Sequence, residues 1–361
     1  MEKYRVGIVG ATGMVGQRFI SLLKDHPWFE VNCVAASARS AGKTYREAVG
    51  ERWAFSWEIP EKVAGMTVVD AADIDEVSKH VDFVFCAVDM KKDEIRALEE
   101  AYAKHEIPVV SNNSACRGIE DVPMVVPEIN ADHLAVIEAQ KKRLGTKNGF
   151  IAVKPNCSIQ SYVPALTPLL DFEPEKVSVC TYQAISGAGK TFKTWPEMVD
   201  NVIPYIGGED EKSENEPQKL GGHVEDGKIV NAALPVISAQ CLRVACSDGH
   251  MAAVSVSFKK KPTIEQIKER WANYETEAQR LELPSAPKPF LQYFEDPSRP
   301  QTRLDRDFQN GFGVSIGRLR EDKLFDYRFV CLSHNTVRGA AGGGILTAEL
   351  LCRKGYIPHR V

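Results

Sequence analysis

Apolar residues in the first part of the chain fall by turns into short unbroken runs and helical stripes. Tyr4–Val9 is a β-prone run, and after Gly13 the residues Val15, Phe19, Leu22 and Leu23 recur at the spacing of one helical face. A second run covers Phe29–Ala36. Residues 81–88 (VDFVFCAV) are almost continuously apolar, as expected of a parallel strand covered on both faces. Residues 92–105, rich in Ala, Glu and Leu, predict a helix; 107–111 and 150–153 predict strands. This alternation predicts an α/β fold with an N-terminal Rossmann-type, doubly wound parallel sheet.

Beyond residue 156 the pattern changes. Residues 177–182 and 252–258 read as strands of a second sheet, with 263–280 as a helix between turns, which gives an α+β second domain. The acidic, glycine-containing stretch 207–222 reads mostly as solvated loop. The stretch 335–351 is glycine-rich and then helical, and its small residues permit close approach to a ligand or another backbone. A chain of 361 residues is long for one core. The expected division is 1–155 for a cofactor-binding domain and 156–335 for a catalytic, substrate and dimerisation domain, with a helix at about 336–358 packing back on the first.

Composition narrows the partners. With 45 basic and 49 acidic residues the net charge is −4, which gives no reason to expect nucleic acid or an anionic membrane, so the substrate is expected to be small. No run approaches the length of a membrane span, and the first residues, Met1-Glu-Lys-Tyr-Arg, carry no apolar signal core, so a cytoplasmic protein is expected. Nine scattered cysteines, never spaced C-x-x-C, argue against a disulfide framework and a zinc site, and no metal is expected.

Four stretches carry candidate chemistry in the first half. Gly10-Ala-Thr12-Gly13-Met14-Val15-Gly16 lies between strand and helix, where glycines let the backbone approach a pyrophosphate whose charge sits on the helix N-terminus. After the second strand, Ser37, Arg39 and Ser40 stand where an NAD-preferring domain carries an acid; hydroxyls and a guanidinium suit the 2′-phosphate of NADP instead. Arg117 lies in a loop after a strand's carboxyl end and is a candidate anion ligand. Asn156-Cys157-Ser158 follows a strand broken by Pro155, at the expected start of a helix whose N–H groups and dipole favour thiolate. Pro164 and Pro168 fall inside that helix, so it is kinked or short.

The second half adds Gln183 with Ser186-Gly187-Ala-Gly, Glu216 with Lys219, Arg243 seven residues before His250, and Asn335-Thr-Val-Arg-Gly-Ala-Ala-Gly. With the glycine turn and Asn156-Cys157-Ser158, these motifs in this order resemble the aspartate-semialdehyde dehydrogenase family from Gly7 to the C-terminal helix, most closely its archaeal and fungal branch. The resemblance implies NADPH-dependent reduction of L-aspartyl-4-phosphate to L-aspartate 4-semialdehyde with release of phosphate, a step in making lysine, methionine and threonine. It implies Cys157 as nucleophile forming a thioester, and Gln183 as an orienting amide. His250, with a pKa expected near neutrality, takes the thiol proton and shuttles protons. Asn156 and the Cys157 N–H hold the oxyanion, and Arg243 clamps the α-carboxylate. Glu216 pairs with the α-ammonium, and Arg117 and Lys219 hold the phosphate. Ser186, Gly187 and Asn335 belong with the cofactor, and a homodimer or homotetramer is expected. Two alternatives stay open. A malonyl-CoA reductase on the same scaffold is disfavoured by Asn156 and the Glu216/Lys219 pair, and a non-catalytic NADP-binding regulator by the presence together of Cys157, Gln183, Arg243 and His250.

Overall fold

A computed structural model describes residues 2–359; Met1, the first residue of the charged start, lies outside them. Six strands form the first sheet: β1 (Tyr4–Val9), β2 (Phe29–Ala36), β3 (Val69–Asp70), β4 (Phe83–Cys86), β5 (Val109–Ser111) and β6 (Ile151–Val153). All pairs are parallel in the order β3-β2-β1-β4-β5-β6, so the winding reverses between β1 and β4. That reversal opens the crevice where parallel sheets bind ligands. The apolar runs are legible because these strands are covered on both faces. Helix Met14–Leu23 and the C-terminal helix Gly342–Arg353 share one core with the sheet, through Phe19, Ile20, Val110, Ala152, Ile345, Leu346 and Leu350.

The second sheet is mixed. Its strands are β7 (Pro174–Gln183), β8 (Val202–Ile203), β11 (Val236–Val244), β12 (His250–Phe258), β13 (Leu291–Phe294), β14 (Val314–Glu321) and β15 (Tyr327–Ser333), in the order β13-β14-β15-β12-β7-β11-β8. A separate hairpin joins β9 (His223–Glu225) to β10 (Lys228–Val230). Alternation along β7 and β12 puts Val177, Val179, Val254 and Val256 inward, into a cluster that also contains Val109, Ile151 and Val153 of the first sheet. One continuous core therefore backs both sheets. Among the described residues no helix is long and apolar enough to cross a membrane.

Three expectations need correction. Residues 207–222 are mostly helix, Glu209–Leu220, not solvated loop. Glu209, Asp210 and Glu211 occupy its first turn and Lys219 its last, which suits the helix dipole. The acids also face protein: Asp210 and Glu214 carboxylates accept the N–H groups of Cys241 and Ala239 along β11 at 2.7 and 3.0 Å. Pro217 lies inside this helix and cannot donate to the Ser213 carbonyl, which accepts the Tyr162 hydroxyl at 2.6 Å instead. Residues 263–280 form two helices, Ile264–Ala272 and Glu277–Arg280, because Thr276 and Gln279 make a second capping box. No helix starts at Cys157: turns lead to a four-residue helix, Val163–Leu166, and then a 3-10 segment, Thr167–Phe172. Pro164 and Pro168 each sit in the first turn of one of these, where a missing N–H costs little.

Candidate active site

The second sheet gathers three polar residues by register. Gln183 ends β7 and pairs with Arg243 near the end of β11, while Met251 pairs with Tyr182, so His250 begins β12 opposite the end of β7. The turn after β7 closes over them. A side chain at Gly187 would meet the Arg243 guanidinium at 2.8 Å and the His250 ring at 3.0 Å, so only glycine leaves that space. Cys157 arrives from the first sheet, carried by the turns after β6, and its Sγ lies 3.4 Å from His250 Nε2. A third segment covers it: a Cβ at Gly339 would stand 2.9 Å from that of Cys157. The small residues of the glycine-rich tail thus serve contact with another backbone.

His250 is held in one tautomer. Its Nδ1 accepts the Ala184 N–H at 3.1 Å, so in the neutral ring the proton resides on Nε2, the atom that faces sulfur. Burial and the neighbouring Arg243 push its pKa down to about 3. This lies below the near-neutral value expected of an imidazole that takes the thiol proton; with Nδ1 accepting Ala184, the neutral ring presents Nε2–H to sulfur. The thiol also differs from expectation: burial, with the negative charge of Glu209, raises the Cys157 pKa, opposed by Lys154, Arg243 and Arg117. Lacking a helix N-terminus, Cys157 has no dipole to offset that.

Glu209 occupies the centre of the polar cluster, and sequence reasoning missed it. Both of its carboxylate oxygens accept Asn156 Nδ2, at 2.9 and 3.0 Å, and it also receives Gln183 Nε2 at 3.3 Å and Lys212 Nζ at 2.8 Å. Burial pushes its carboxyl up, but Lys212 and the two amides win, leaving the pKa below the ordinary value. Asn156 therefore spends its amide N–H groups on Glu209, while its Oδ1 accepts the Ser158 N–H and hydroxyl. It has no donor free for an oxyanion in this arrangement. Arg243 donates to the Ala184 carbonyl at 2.7 Å and has no carboxylate partner among the described residues, which leaves much of its guanidinium fork unengaged.

The Glu216/Lys219 pair is committed elsewhere. Lys219 is buried and donates to the carbonyls of Arg117, Ile119 and Val122 at 2.7, 2.7 and 2.9 Å, so it pins the 117–122 loop and has no donor left for phosphate. Glu216 accepts Arg117 at 2.9 Å and the Asn156 N–H at 2.5 Å, which orders the turn before Cys157 instead of facing an ammonium. Arg117 keeps a buried Nε without a partner. It lines a cleft of about 650 Å³ together with Lys92, Lys212, Glu216 and Lys219. Lys212, which borders both this cleft and Glu209, is the second residue missed.

The cofactor candidates lie at the crevice. Gly10 has φ 90°, and a Cβ there would be 2.3 Å from the Ala87 carbonyl beyond β4. Thr12 and Gly13 complete the turn into helix Met14–Leu23, whose first residues are Met14 and Val15; that helix has no side-chain cap and no acid in its first turn. Ser37, Arg39 and Ser40 form a tight turn after β2, closed by Ser40 N–H to the Ser37 carbonyl at 2.8 Å, with Arg39 exposed. Across the crevice Asn335 donates to the Ser186 hydroxyl at 2.9 Å and accepts the Gly249 N–H at 2.8 Å. Among the described residues no cluster of His, Cys, Asp or Glu could hold a metal ion.

The chain is similar to known proteins over nearly its whole length. Residues 5–137 match the family "Semialdehyde dehydrogenase, NAD binding domain", and 166–338 match "Semialdehyde dehydrogenase, dimerisation domain". The chain is 44% identical to aspartate-semialdehyde dehydrogenase of Aspergillus fumigatus, covering 98% of this chain and 99% of that one. The enzyme of the same name from Archaeoglobus fulgidus is 43% identical over 98% of this chain and all of its own. The crystal structure of aspartate semialdehyde dehydrogenase with NADP from Candida albicans superposes with a TM-score of 0.89 at 39% identity, over 99% of this chain and 100% of that chain.

Proposed function

Because the chain belongs to the aspartate-semialdehyde dehydrogenase family, we propose a division of labour among its residues for that activity, the NADPH-dependent reductive dephosphorylation of L-aspartyl-4-phosphate to L-aspartate 4-semialdehyde. The carrying observation is the approach of Cys157 Sγ to His250 Nε2 beside an uncompensated Arg243 and a buried Glu209. Cys157 attacks the acyl carbon, and the C–O bond to phosphate breaks to leave a thioester. NADPH, if bound in the crevice, would supply the hydride for that thioester, and breaking of the C–S bond then releases the aldehyde and frees the Cys157 sulfur. His250 donates its Nε2–H to the oxygen that carries charge in both steps, a contribution of about 3 kcal/mol for one well-placed donor. Gln183 and Asn156 fix the Glu209 carboxylate. Arg243 offers its fork to the α-carboxylate, a bidentate geometry lysine cannot reproduce. Glu209 takes the α-ammonium, and Arg117 with Lys212 takes the phosphate.

The residues at the crevice fit NADP. The uncapped N-terminus of helix Met14–Leu23 leaves N–H groups for a pyrophosphate, behind Gly10, Thr12 and Gly13. Ser37, Arg39 and Ser40 suit the 2′-phosphate. Asn112, at the end of β5, has both side-chain polar atoms buried without a partner, as expected of a group waiting for a ligand. Ser186, Gly187 and Asn335 close the opposite side.

We place the domain boundary at Pro155, with 1–155 and the helix around 336–358 forming the cofactor unit and 156–335 the substrate and dimerisation unit. The outward face of the second sheet and its flank expose Tyr182, Val199, Val202, Tyr205 and Val236, which supports a homodimer or homotetramer built there. Nine free thiols fit a cytoplasmic setting.

The reaction run in reverse tests the reading. Aspartate semialdehyde, NADP and phosphate should give rising absorbance of the reduced nicotinamide, and Cys157→Ala should abolish the rise while still binding NADPH. NADPH oxidation with malonyl-CoA but no reaction of the semialdehyde would overturn it, and so would turnover by the Cys157→Ala enzyme.

A further inference from the structure

Most backbone N–H groups of the glycine turn after β1 are already used within the protein. Gly10 and Ala11 both donate to the Ala35 carbonyl near the end of β2, at 2.9 and 3.0 Å, and Gly13 donates to the Gly10 carbonyl at 3.2 Å. Among the described residues, the Thr12 N–H finds no such acceptor. Thr12 is only half-buried and lies beside the uncapped start of helix Met14–Leu23, so its N–H is a donor suited to an anion. The turn itself is pressed onto that helix: a Cβ at Gly16 would stand 2.3 Å from the Gly10 carbonyl.

The direction of that donor is set from behind. In a trans peptide the C=O and the next N–H point in opposite directions, so whatever holds the Ala11 carbonyl also aims the Thr12 N–H. Tyr45 holds it. Its ring is fully buried, and its hydroxyl donates to the Ala11 carbonyl at 2.8 Å. The following peptide is held by Gln17, which is 2% exposed and donates through Nε2 to the Thr12 carbonyl at 2.9 Å. The same amide donates to the Arg52 carbonyl at 3.0 Å and accepts the Ala54 N–H at 2.8 Å.

Tyr45 opens a short helix, Tyr45–Val49, whose capping residue Thr44 closely follows the Ser37–Ser40 turn. The segment from Thr44 to Ala54 therefore joins the turn suited to the 2′-phosphate to the turn suited to the pyrophosphate, with Tyr45 and Gln17 as its two fastenings.

We propose that Tyr45 and Gln17 are positioning residues for the cofactor, which hold the Ala11 and Thr12 carbonyls from behind so that the Thr12 N–H faces the pyrophosphate of NADP. Both act through the turn. Without the Tyr45 hydroxyl a buried carbonyl loses its partner, and the Ala11–Thr12 peptide relaxes by rotating, which carries the N–H away from the ligand.

The inference rests on the glycine turn being the pyrophosphate site, and one experiment separates the two. Dissociation constants of the full-length enzyme are measured by calorimetry for NADPH and for adenosine 2′-monophosphate, which keeps the adenine and the 2′-phosphate but has no pyrophosphate. Tyr45→Phe fills the same space without the hydroxyl. It should weaken NADPH by about 10-fold, the effect of one well-placed hydrogen bond, and leave adenosine 2′-monophosphate unchanged. Gln17→Met should give the same split. A role confined to stability would lower the urea midpoint and leave the NADPH constant of the folded enzyme as in the parent, whereas displacement of the whole segment would weaken both ligands alike. Either result overturns the proposal. If Gln17→Met does not fold, Tyr45→Phe decides alone. A parent enzyme that binds NADPH no more tightly than adenosine 2′-monophosphate would instead remove the pyrophosphate site itself, and the proposal with it.

Discussion

Glu209 and Glu216 lie seven residues apart on one helix, as do Lys212 and Lys219, so each acid–lysine pair shows the same i,i+3 spacing on nearly the same face. Spacing alone cannot choose between them. Contacts separate them: the first pair meets Asn156 and Gln183, whereas Lys219 is consumed by three carbonyls. Glu209→Gln should raise KM for aspartate semialdehyde by about 10- to 100-fold, the loss of a charge-assisted hydrogen bond worth about 1.5–3 kcal/mol, with little change in thermal stability. Lys219→Met should do the opposite. It strands three carbonyl acceptors and should cost about 1–3 kcal/mol in chemical denaturation while leaving KM nearly unchanged. Equal KM effects from both would return the substrate to the second pair. Cys157, Gln183, Arg243 and His250 were legible from motif order, because each stands at a strand end or turn where residue type is tied to position. Glu209 was not, because only the helix reveals which face an acid occupies.

That helix escaped the sequence for an identifiable reason. Its residues EDEKSENEPQKL include a proline and no apolar stripe, so neither period nor propensity announces it. Tertiary contacts supply what propensity lacks: Asp210 and Glu214 satisfy the free edge of β11, and the Tyr162 hydroxyl accepts the duty of the absent Pro217 N–H. Tyr162 is fully buried in the same region that carries Cys157 toward its site. Tyr162→Phe should therefore strand the Ser213 carbonyl and cost about 1–3 kcal/mol, visible as a lower urea midpoint. Because Glu209 sits four residues before that carbonyl, KM for the semialdehyde should rise as well. A Tyr162→Phe enzyme with unchanged midpoint would mean that the helix holds its kink unaided. Strands fared unevenly: β1 and β2 match their expected runs end to end and β4–β7 and β12 overlap theirs, since burial on both faces or alternation on one shows in the apolar pattern, whereas β3, β8–β11 and β13–β15 were not expected.

At the scale of the whole molecule, the site is assembled from segments distant in sequence: the turn at Cys157, the ends of β7, β11 and β12, and the tail that lays Gly339 on Cys157. Something must fix the tail. Next to Gly339, Arg338 is almost wholly buried, and its guanidinium binds both oxygens of Glu128, from the loop before β6, at 2.8 and 3.1 Å, and the Phe312 carbonyl at 2.8 Å. It also lies 4.4 Å over the Phe290 ring. Breaking such a pair by removing one partner leaves a buried, uncompensated charge, so Glu128→Ala should destabilise by about 3–5 kcal/mol. Replacing both partners with methionine removes both charges and should recover most of that loss. Activity should separate from stability. The double variant regains the denaturation midpoint but not the ionic link that sets the tail, so its kcat should stay below the parent's while Glu128→Ala is low in both. If the double variant regains kcat together with its midpoint, Gly339 is positioned by apolar packing alone and the ion pair has no part in ordering the nucleophile.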